Sequence, residues 1–133
     1  MKLRLRRSSI RLRLTHGELS KFAETGVVEE VVDFGIGPNE RFRYRVVSDP
    51  AKQASSAKFE ADGITVTVPA DAAAEWAATE QVGIVGEMNT GGGQALRILV
   101  EKDFACLRPR AGEEDLDAFP HPVPKMMADD LVS

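Results

Sequence analysis

The sequence has few cysteines, histidines and aromatic residues, and each shortage excludes a class of protein. Cys106 is the only cysteine among 133 residues, so the chain forms neither an internal disulfide nor a four-thiolate zinc site. The two histidines, His16 and His121, lack the spacing of a metal-binding pair, and no metal site is predicted. No segment approaches the roughly 18 consecutive apolar residues of a transmembrane helix, so no membrane association is expected.

An excess of positive charge is also missing. The net charge is −4, so the chain as a whole is not attracted to nucleic acid or to an anionic membrane. The sequence also indicates no basic patch lined by aromatic residues of the kind that single-stranded nucleic acid needs. The basic N-terminal segment is not followed by the apolar stretch of a secretory signal. A cytoplasmic location is therefore the default expectation.

Residues 1–48 predict two strands, a short helix and two further strands. In "MKLRLR" and "SIRLRL", charged residues alternate with apolar ones, which is the period of half-buried strands, and Ser8-Ser9 is the expected turn between them. In "THGELSKFAETG", Thr15 and Glu18 form a capping-box pattern and Gly26 is a typical C-terminal glycine. The segments "VVEEVVDF" and "RFRYRVV" predict the next two strands.

The same order of elements is predicted a second time. A shift of 54 positions aligns the two segments without a gap, so that Leu12 falls on Val66 and Phe22 falls on Trp76. We therefore interpret the chain as a tandem duplication of a strand-strand-helix-strand-strand unit. The expected organisation is one duplicated domain followed by an extended or disordered tail that holds four of the seven prolines: domain 1–107, with repeat one 1–48, linker 49–54 and repeat two 55–102, and tail 108–133.

The fold class expected from this pattern is α+β. The eight strands are expected to form one mostly antiparallel sheet, open or closed into a barrel, with two short helices on its apolar face. Closure requires the first and last strands to pair, and either arrangement satisfies the pattern.

The strand face opposite the apolar residues is rich in arginine in repeat one, whereas repeat two has mostly threonine, alanine or leucine there. The simpler explanation is ion pairing across strands with Glu29 and Asp33, at roughly 0.2–1 kcal/mol per pair. The alternative is an anion site, because guanidinium groups about 5 Å apart on neighbouring strands can fork onto phosphate oxygens. The hypothetical anion ligands are Arg4, Arg11, Arg13, Arg43 and Arg45.

Two further candidates are weaker. The glycine-rich "NTGGGQ" precedes a strand and not a helix, so it lacks the field that phosphate loops use and is better explained as a hairpin loop. A nucleophilic pair of Cys106 and His121 would require the tail to fold back. An inert, small apolar cysteine explains Cys106 more simply.

Three segments carry a resemblance to a known family: "SIRLRLTHGEL" near the start, "VEKDFACL" at residues 100–107 and "DAFPHP" at residues 117–122. Together they resemble a family of small bacterial proteins of uncharacterised function. The resemblance implies a bacterial protein, and it implies no activity, cofactor or catalytic residue.

The duplicated architecture is also similar to that of the tunnel-barrel triphosphate hydrolases. In that family basic residues inside a tunnel hold a triphosphate and carboxylates hold a metal. The resemblance implies the phosphate-holding role for the five candidate arginines. The alternating glutamates of that family's first strand are absent from "MKLRLRR", so no catalytic residue is carried over.

The sequence therefore favours a small non-enzymatic binding or interaction protein whose arginine-rich face holds an anionic ligand. The expected partner is a phosphate-containing small molecule or an acidic protein, and no cofactor is implied. The alternative is a phosphohydrolase that acts on a triphosphate-type molecule in a charged tunnel. A third hypothesis is a structural protein that acts through its acidic tail.

Overall fold

The computed structural model describes residues 1–104. This part of the chain contains eight strands and two helices: β1 (Lys2–Arg6), β2 (Ser9–Leu14), α1 (His16–Thr25), β3 (Val27–Asp33), β4 (Arg41–Asp49), β5 (Ser56–Glu60), β6 (Gly63–Pro69), α2 (Ala70–Ala78), β7 (Gly83–Asn89) and β8 (Ala95–Lys102). The α+β class and the twofold occurrence of the predicted element order are confirmed. The predicted tail, Cys106 and His121 lie outside the described residues. Neither helix is long and apolar enough to cross a membrane.

The strands lie in two four-stranded sheets and not in one sheet of eight. The first sheet has the order β1-β2-β8-β7 and the second has the order β3-β4-β6-β5. The outer pairs of each sheet are antiparallel, whereas the central pairs, β2–β8 and β4–β6, are parallel. The described strands do not close into a barrel. The prediction of a single sheet is wrong because the first hairpin of each half pairs with the second hairpin of the other half. Pairing between such distant segments leaves no signal in the local periodicity of the sequence.

Helix α1 begins and ends where its sequence predicts. The Thr15 hydroxyl accepts a hydrogen bond from the Glu18 N–H at 3.3 Å, and the Glu18 carboxylate accepts one from the Thr15 N–H at 2.8 Å. At the other end, Gly26 adopts the left-handed conformation (φ 83°), and its N–H donates to the Phe22 carbonyl at 2.8 Å. These contacts satisfy backbone groups that a helix end leaves without partners.

One apolar core joins both sheets and both helices. Its buried members are Ile10, Leu12, Leu14, Leu19, Phe22, Val28, Val46, Val66, Val68, Ala73, Trp76, Ile84, Ile98 and Val100. The helices contribute Phe22 and Trp76, whose rings meet edge to face with centroids 6.1 Å apart. The indole N–H of Trp76 donates to the Val82 carbonyl at 3.0 Å, so the largest buried side chain has no unsatisfied donor.

Strand registers in the two halves correspond closely. Ile10 pairs with Ile98 in the first sheet, and the positions 54 residues away, Ile64 and Tyr44, pair in the second. The offset is 56 and not 54 at β7, because Ile84, and not Val82, occupies the register position that Val28 has in β3. The ungapped alignment is therefore wrong by two residues at β7, where the connection from α2 is longer and the following hairpin loop is shorter.

Met1, which precedes β1, forms contacts with α1, β3 and β4. The Met1 α-amino group contacts the Glu18 carboxylate and lies 3.2 Å from the Glu30 carboxylate, and the Tyr44 hydroxyl donates to the Met1 carbonyl at 2.9 Å. Burial by itself lowers the pKa of the amino group, but the two carboxylates outweigh it and raise that pKa above 8.0. Burial likewise raises the pKa of Glu18, but hydrogen bonds from Met1 and Thr15 hold it below 4.5.

Replacing Glu18 with glutamine is expected to lower the free energy of unfolding by about 1–2 kcal/mol near neutral pH, because the cap and the amino group lose a charged partner. A lowered carboxyl pKa gives stability that is present above pH 4.5 and is lost as the pH falls through the folded-state value. A raised amino pKa gives stability that is present below pH 8.0 and is lost as the pH rises through its folded-state value. The difference from the wild type should therefore be largest between these limits.

Urea denaturation at several pH values measures this difference. Glu24→Gln, an exposed position on the same helix, is the matched control and should change stability by less than about 0.5 kcal/mol. A Glu18→Gln effect that does not vary with pH would contradict the assigned ion pair.

Candidate anion-binding site

The five predicted arginines lie on two different sheets. Arg4, Arg11 and Arg13 belong to the β1–β2 hairpin of the first sheet, whereas Arg43 and Arg45 belong to β4 in the second. Within residues 1–104, no ion pair connects the two sets. The structure therefore divides the predicted site into two groups.

The arginines of the second sheet are ion-paired. Arg43 donates to the Glu29 carboxylate at 2.8 Å and to the Asp62 carboxylate at 3.1 Å, and Arg45 lies 3.8 Å from Glu29. Glu29 stands directly opposite Arg45 in the register, as the parity of the sequence indicated. The backbone N–H of Arg43 also donates to the backbone carbonyl of Asp62 at 2.8 Å. This bond connects β4 to the turn between β5 and β6. On this sheet Arg43 forms the cross-strand ion pair that the simpler explanation predicts. The Arg45 Nε, by contrast, is buried without a hydrogen-bond partner among the described residues and lies no closer to a carboxylate than Arg11 and Arg13 do on the first sheet.

The arginines of the first sheet face like charges instead. In the β1–β2 register, Lys2 stands opposite Arg13 and Arg4 stands opposite Arg11. Like charges placed directly opposite each other destabilise a strand pair. The hairpin therefore carries a repulsion that its counterpart in the second sheet, where Lys58 stands opposite Thr65, does not have.

Carboxylates compensate this repulsion only in part. Glu101 is the nearest carboxylate to both Arg11 and Arg13, and its Oε1 lies 3.7 and 3.5 Å from their Nε atoms. Both distances exceed the length of a well-formed hydrogen bond. Lys2 lies 3.1 Å from the Asp103 carboxylate. Arg4 has no carboxylate within 4.0 Å in the part of the chain that the structure describes.

The turn position decides which cations of this hairpin face each other. Residues Arg7 and Ser8 form the turn, with Arg7 in the left-handed region (φ 50°), so the expected turn at Ser8-Ser9 is wrong by one residue. A turn at Ser8-Ser9 would have placed different residues opposite each other. The sequence offered no signal against the expected turn, because the 54-residue shift carries Ser8-Ser9 onto Asp62-Gly63, a typical turn pair. The second turn is displaced in the same way and is formed by Ala61 and Asp62.

We call the charged side of the first sheet the cationic face. The registers place the following residues on it: Lys2, Arg4, Arg6, Arg11, Arg13 and Arg97, with the carboxylates Glu87 and Glu101. The charged side of the second sheet holds fewer cations and more carboxylates: Arg41, Arg43, Arg45 and Lys58, with Glu29, Asp33 and Glu60. Positive charge is therefore concentrated on the first sheet, although both sheets use the same pairing geometry.

A depression of about 350 Å³ opens on the cationic face. Its lining residues are Lys2, Leu3, Arg4, Arg11 and Arg13. The side chains of Arg11 and Arg13 are 30% and 33% exposed, so both are partly accessible from outside. The volume falls within the range of small-molecule sites. The alternation in "MKLRLR" places Lys2 on the charged face, although Lys2 was not among the predicted anion ligands. Its register with Arg13 brings it to the depression.

The glycine-rich segment and His16 lie within the described residues, whereas the Cys106–His121 pair lies outside them. The segment from Asn89 to Gln94 connects β7 to β8, as expected of a hairpin loop. His16 is exposed at the first residue of α1. Among the described residues, no three histidine, cysteine, aspartate or glutamate side chains are close enough to hold a metal ion together.

Comparison with known proteins identifies the family. The chain belongs to a family of unknown function, DUF7009, whose profile matches residues 1–123. The expectation of an uncharacterised family is thereby confirmed over most of the chain. No curated protein and no solved structure matches the chain.

Removal of an arginine is expected to have opposite effects on the free energy of unfolding in the two sheets. Arg4→Gln should leave the free energy of unfolding unchanged or raise it by up to about 1 kcal/mol, because it removes one member of a like-charge pair. Arg43→Gln should lower it by about 1–2 kcal/mol, because Glu29 and Asp62 both lose a charge-assisted hydrogen bond at a half-exposed site. Urea denaturation in an anion-free buffer measures both.

Lys58→Gln is the matched control for Arg4→Gln, since Lys58 has the corresponding register position in the second sheet and faces Thr65. It should change stability by less than about 0.5 kcal/mol. Equal destabilisation by Arg4→Gln and Arg43→Gln would mean that both sheets use their arginines for structural ion pairing.

Proposed function

We propose that this protein is a non-enzymatic binding protein that holds a phosphate-containing small molecule on the cationic face. The observation that carries the proposal is the facing of Lys2 with Arg13, and of Arg4 with Arg11, around one open depression. The second sheet has no facing cations at the corresponding positions, where Ser56 stands opposite Thr67 and Lys58 stands opposite Thr65.

A phosphate group suits this arrangement for two reasons. Its negative charge, placed between facing cations, converts their repulsion into attraction for a shared anion. Its oxygens also accept the paired N–H groups of a guanidinium, and charge-assisted hydrogen bonds of this kind are roughly twice as strong as neutral ones. Arg4 supports the proposal most directly, since no described carboxylate competes for it within 4.0 Å.

A small molecule is favoured over an acidic protein partner. The depression is concave, and Arg11 and Arg13 are only about one-third exposed. A compact anion can reach these guanidinium groups, whereas the flat surface of a protein would contact mainly the more exposed Lys2 and Arg4. Binding of an acidic protein without binding of small anions would contradict this choice.

A tandem duplication of the chain is part of the proposal. The equal element order, the shared registers and the even division of the fourteen buried residues between the two halves support it. On this view the cationic face is a specialisation of one copy. A bacterial cytoplasmic setting also belongs to the proposal, and its support is the sequence resemblance and the default location.

The alternative, a phosphohydrolase with a charged tunnel, gains no support from residues 1–104, whose strands do not close into a barrel. An assay of phosphate release tests this alternative. Release of phosphate from tripolyphosphate in the presence of Mg²⁺ or Mn²⁺ would overturn the non-enzymatic part of the proposal.

Calorimetric titration with inorganic phosphate tests the binding. The wild type should bind, and the double variant Arg4→Gln/Arg11→Gln should bind at least about tenfold more weakly, because two guanidinium groups leave the site. The matched control, Arg41→Gln/Lys58→Gln, removes the same charge from the second sheet and should bind within about twofold of the wild type. Far-ultraviolet circular dichroism checks that each variant is folded.

Two outcomes would overturn the proposed site. The first is a wild type that binds neither phosphate nor sulfate at low ionic strength. The second is an equal loss of affinity in the two double variants, which would mean that net charge attracts the anion and that the facing cations have no special role.

A further inference from the structure

The cationic face continues into an apolar strip. In the register, Arg11 stands beside Leu99 of β8, and Leu99 stands beside Val85 of the edge strand β7. Leu99 is partly buried, whereas the side chain of Val85 is 61% exposed. An apolar surface therefore begins one strand away from Arg11 and ends at the sheet edge.

The second sheet has charges at the corresponding positions. There the residue beside Thr65 is Arg45, and the residue beside Arg45 is Glu29, with their charged groups 3.8 Å apart. The sheet geometry therefore accommodates residues of opposite charge at these two positions. Two apolar residues next to the facing cations are a property of the cationic face and not a requirement of the fold.

The spacing suits a ligand with a charged and an apolar end. Neighbouring strands lie about 4.8 Å apart, so Leu99 is about 5 Å and Val85 about 10 Å from Arg11 across the sheet. Gly83, the next residue on the same face of β7, has no side chain that could cover Val85 from that side. A phosphate held between Arg4 and Arg11 lies about 12 Å from Val85 at this spacing, so a flat apolar group about 10 Å long would reach both apolar residues.

We propose that the ligand of the cationic face is a phosphate monoester whose organic part is apolar and preferably aromatic, and that this part packs on Leu99 and Val85. The inference rests on the proposed function, since it assumes that Arg4 and Arg11 hold the phosphate. It adds the chemical class of the ligand, because inorganic phosphate and polar sugar phosphates leave the apolar strip in water.

Three probes separate the charge from the apolar part: inorganic phosphate, glycerol 3-phosphate and 4-biphenylyl phosphate. The biphenylyl ester should bind the wild type about fivefold to tenfold more tightly than glycerol 3-phosphate, because only its rings bury apolar surface. Val85→Thr keeps the β-branched shape and adds a hydroxyl group. It should reduce this ratio to less than about twofold while the affinity for inorganic phosphate stays within twofold.

Val31→Thr is the matched control, since Val31 is a partly exposed valine on β3, the corresponding edge strand of the second sheet, and should leave the ratio unchanged. Equal affinity for the two esters, or equal effects of the two valine variants, would overturn the inference and leave the proposed function standing. If none of the three probes binds, the proposed function fails and the inference fails with it.

Discussion

The parallel pairing of β2 with β8, and of β4 with β6, is the constraint on which the structure depends. Through these two pairings each half of the chain contributes one hairpin to each sheet, so neither half can complete a sheet alone. The helices that connect the hairpins then meet through Phe22 and Trp76 in one shared core. Because side chains alternate between the faces of a strand, burial of this core fixes which residues form the charged faces.

The sequence allowed much of this to be predicted. Alternation and caps indicated every helix and strand in the described part, and the buried residues lie on the predicted apolar positions, such as Leu12, Phe22 and Trp76. The division into two sheets was not predictable in the same way, because the choice of partner for β2 depends on contacts between distant segments. The turn after β1 was predicted one residue too late, and a difference of one residue changes every facing pair of the hairpin.

The sequence predicted which type of residue forms the candidate site, but it did not predict which of these residues lie together. The sequence identified an arginine-rich face in the first half, but it grouped Arg43 with Arg4 and Arg11. The structure separates them, because β4 pairs with β6 and not with β2. Arg43 connects two hairpins through Glu29 and Asp62, whereas Arg4 faces Arg11. The same residue type therefore stabilises one sheet and concentrates positive charge on the other.

The central claim is that the facing arginines repel each other until an anion lies between them. A double-mutant cycle of Arg4→Gln and Arg11→Gln tests it most directly, with stability measured by urea denaturation in the absence and in the presence of saturating inorganic phosphate. The account predicts a repulsive coupling of about 0.2–1 kcal/mol without phosphate and an attractive coupling with phosphate. A coupling that is zero or attractive in both conditions would contradict it.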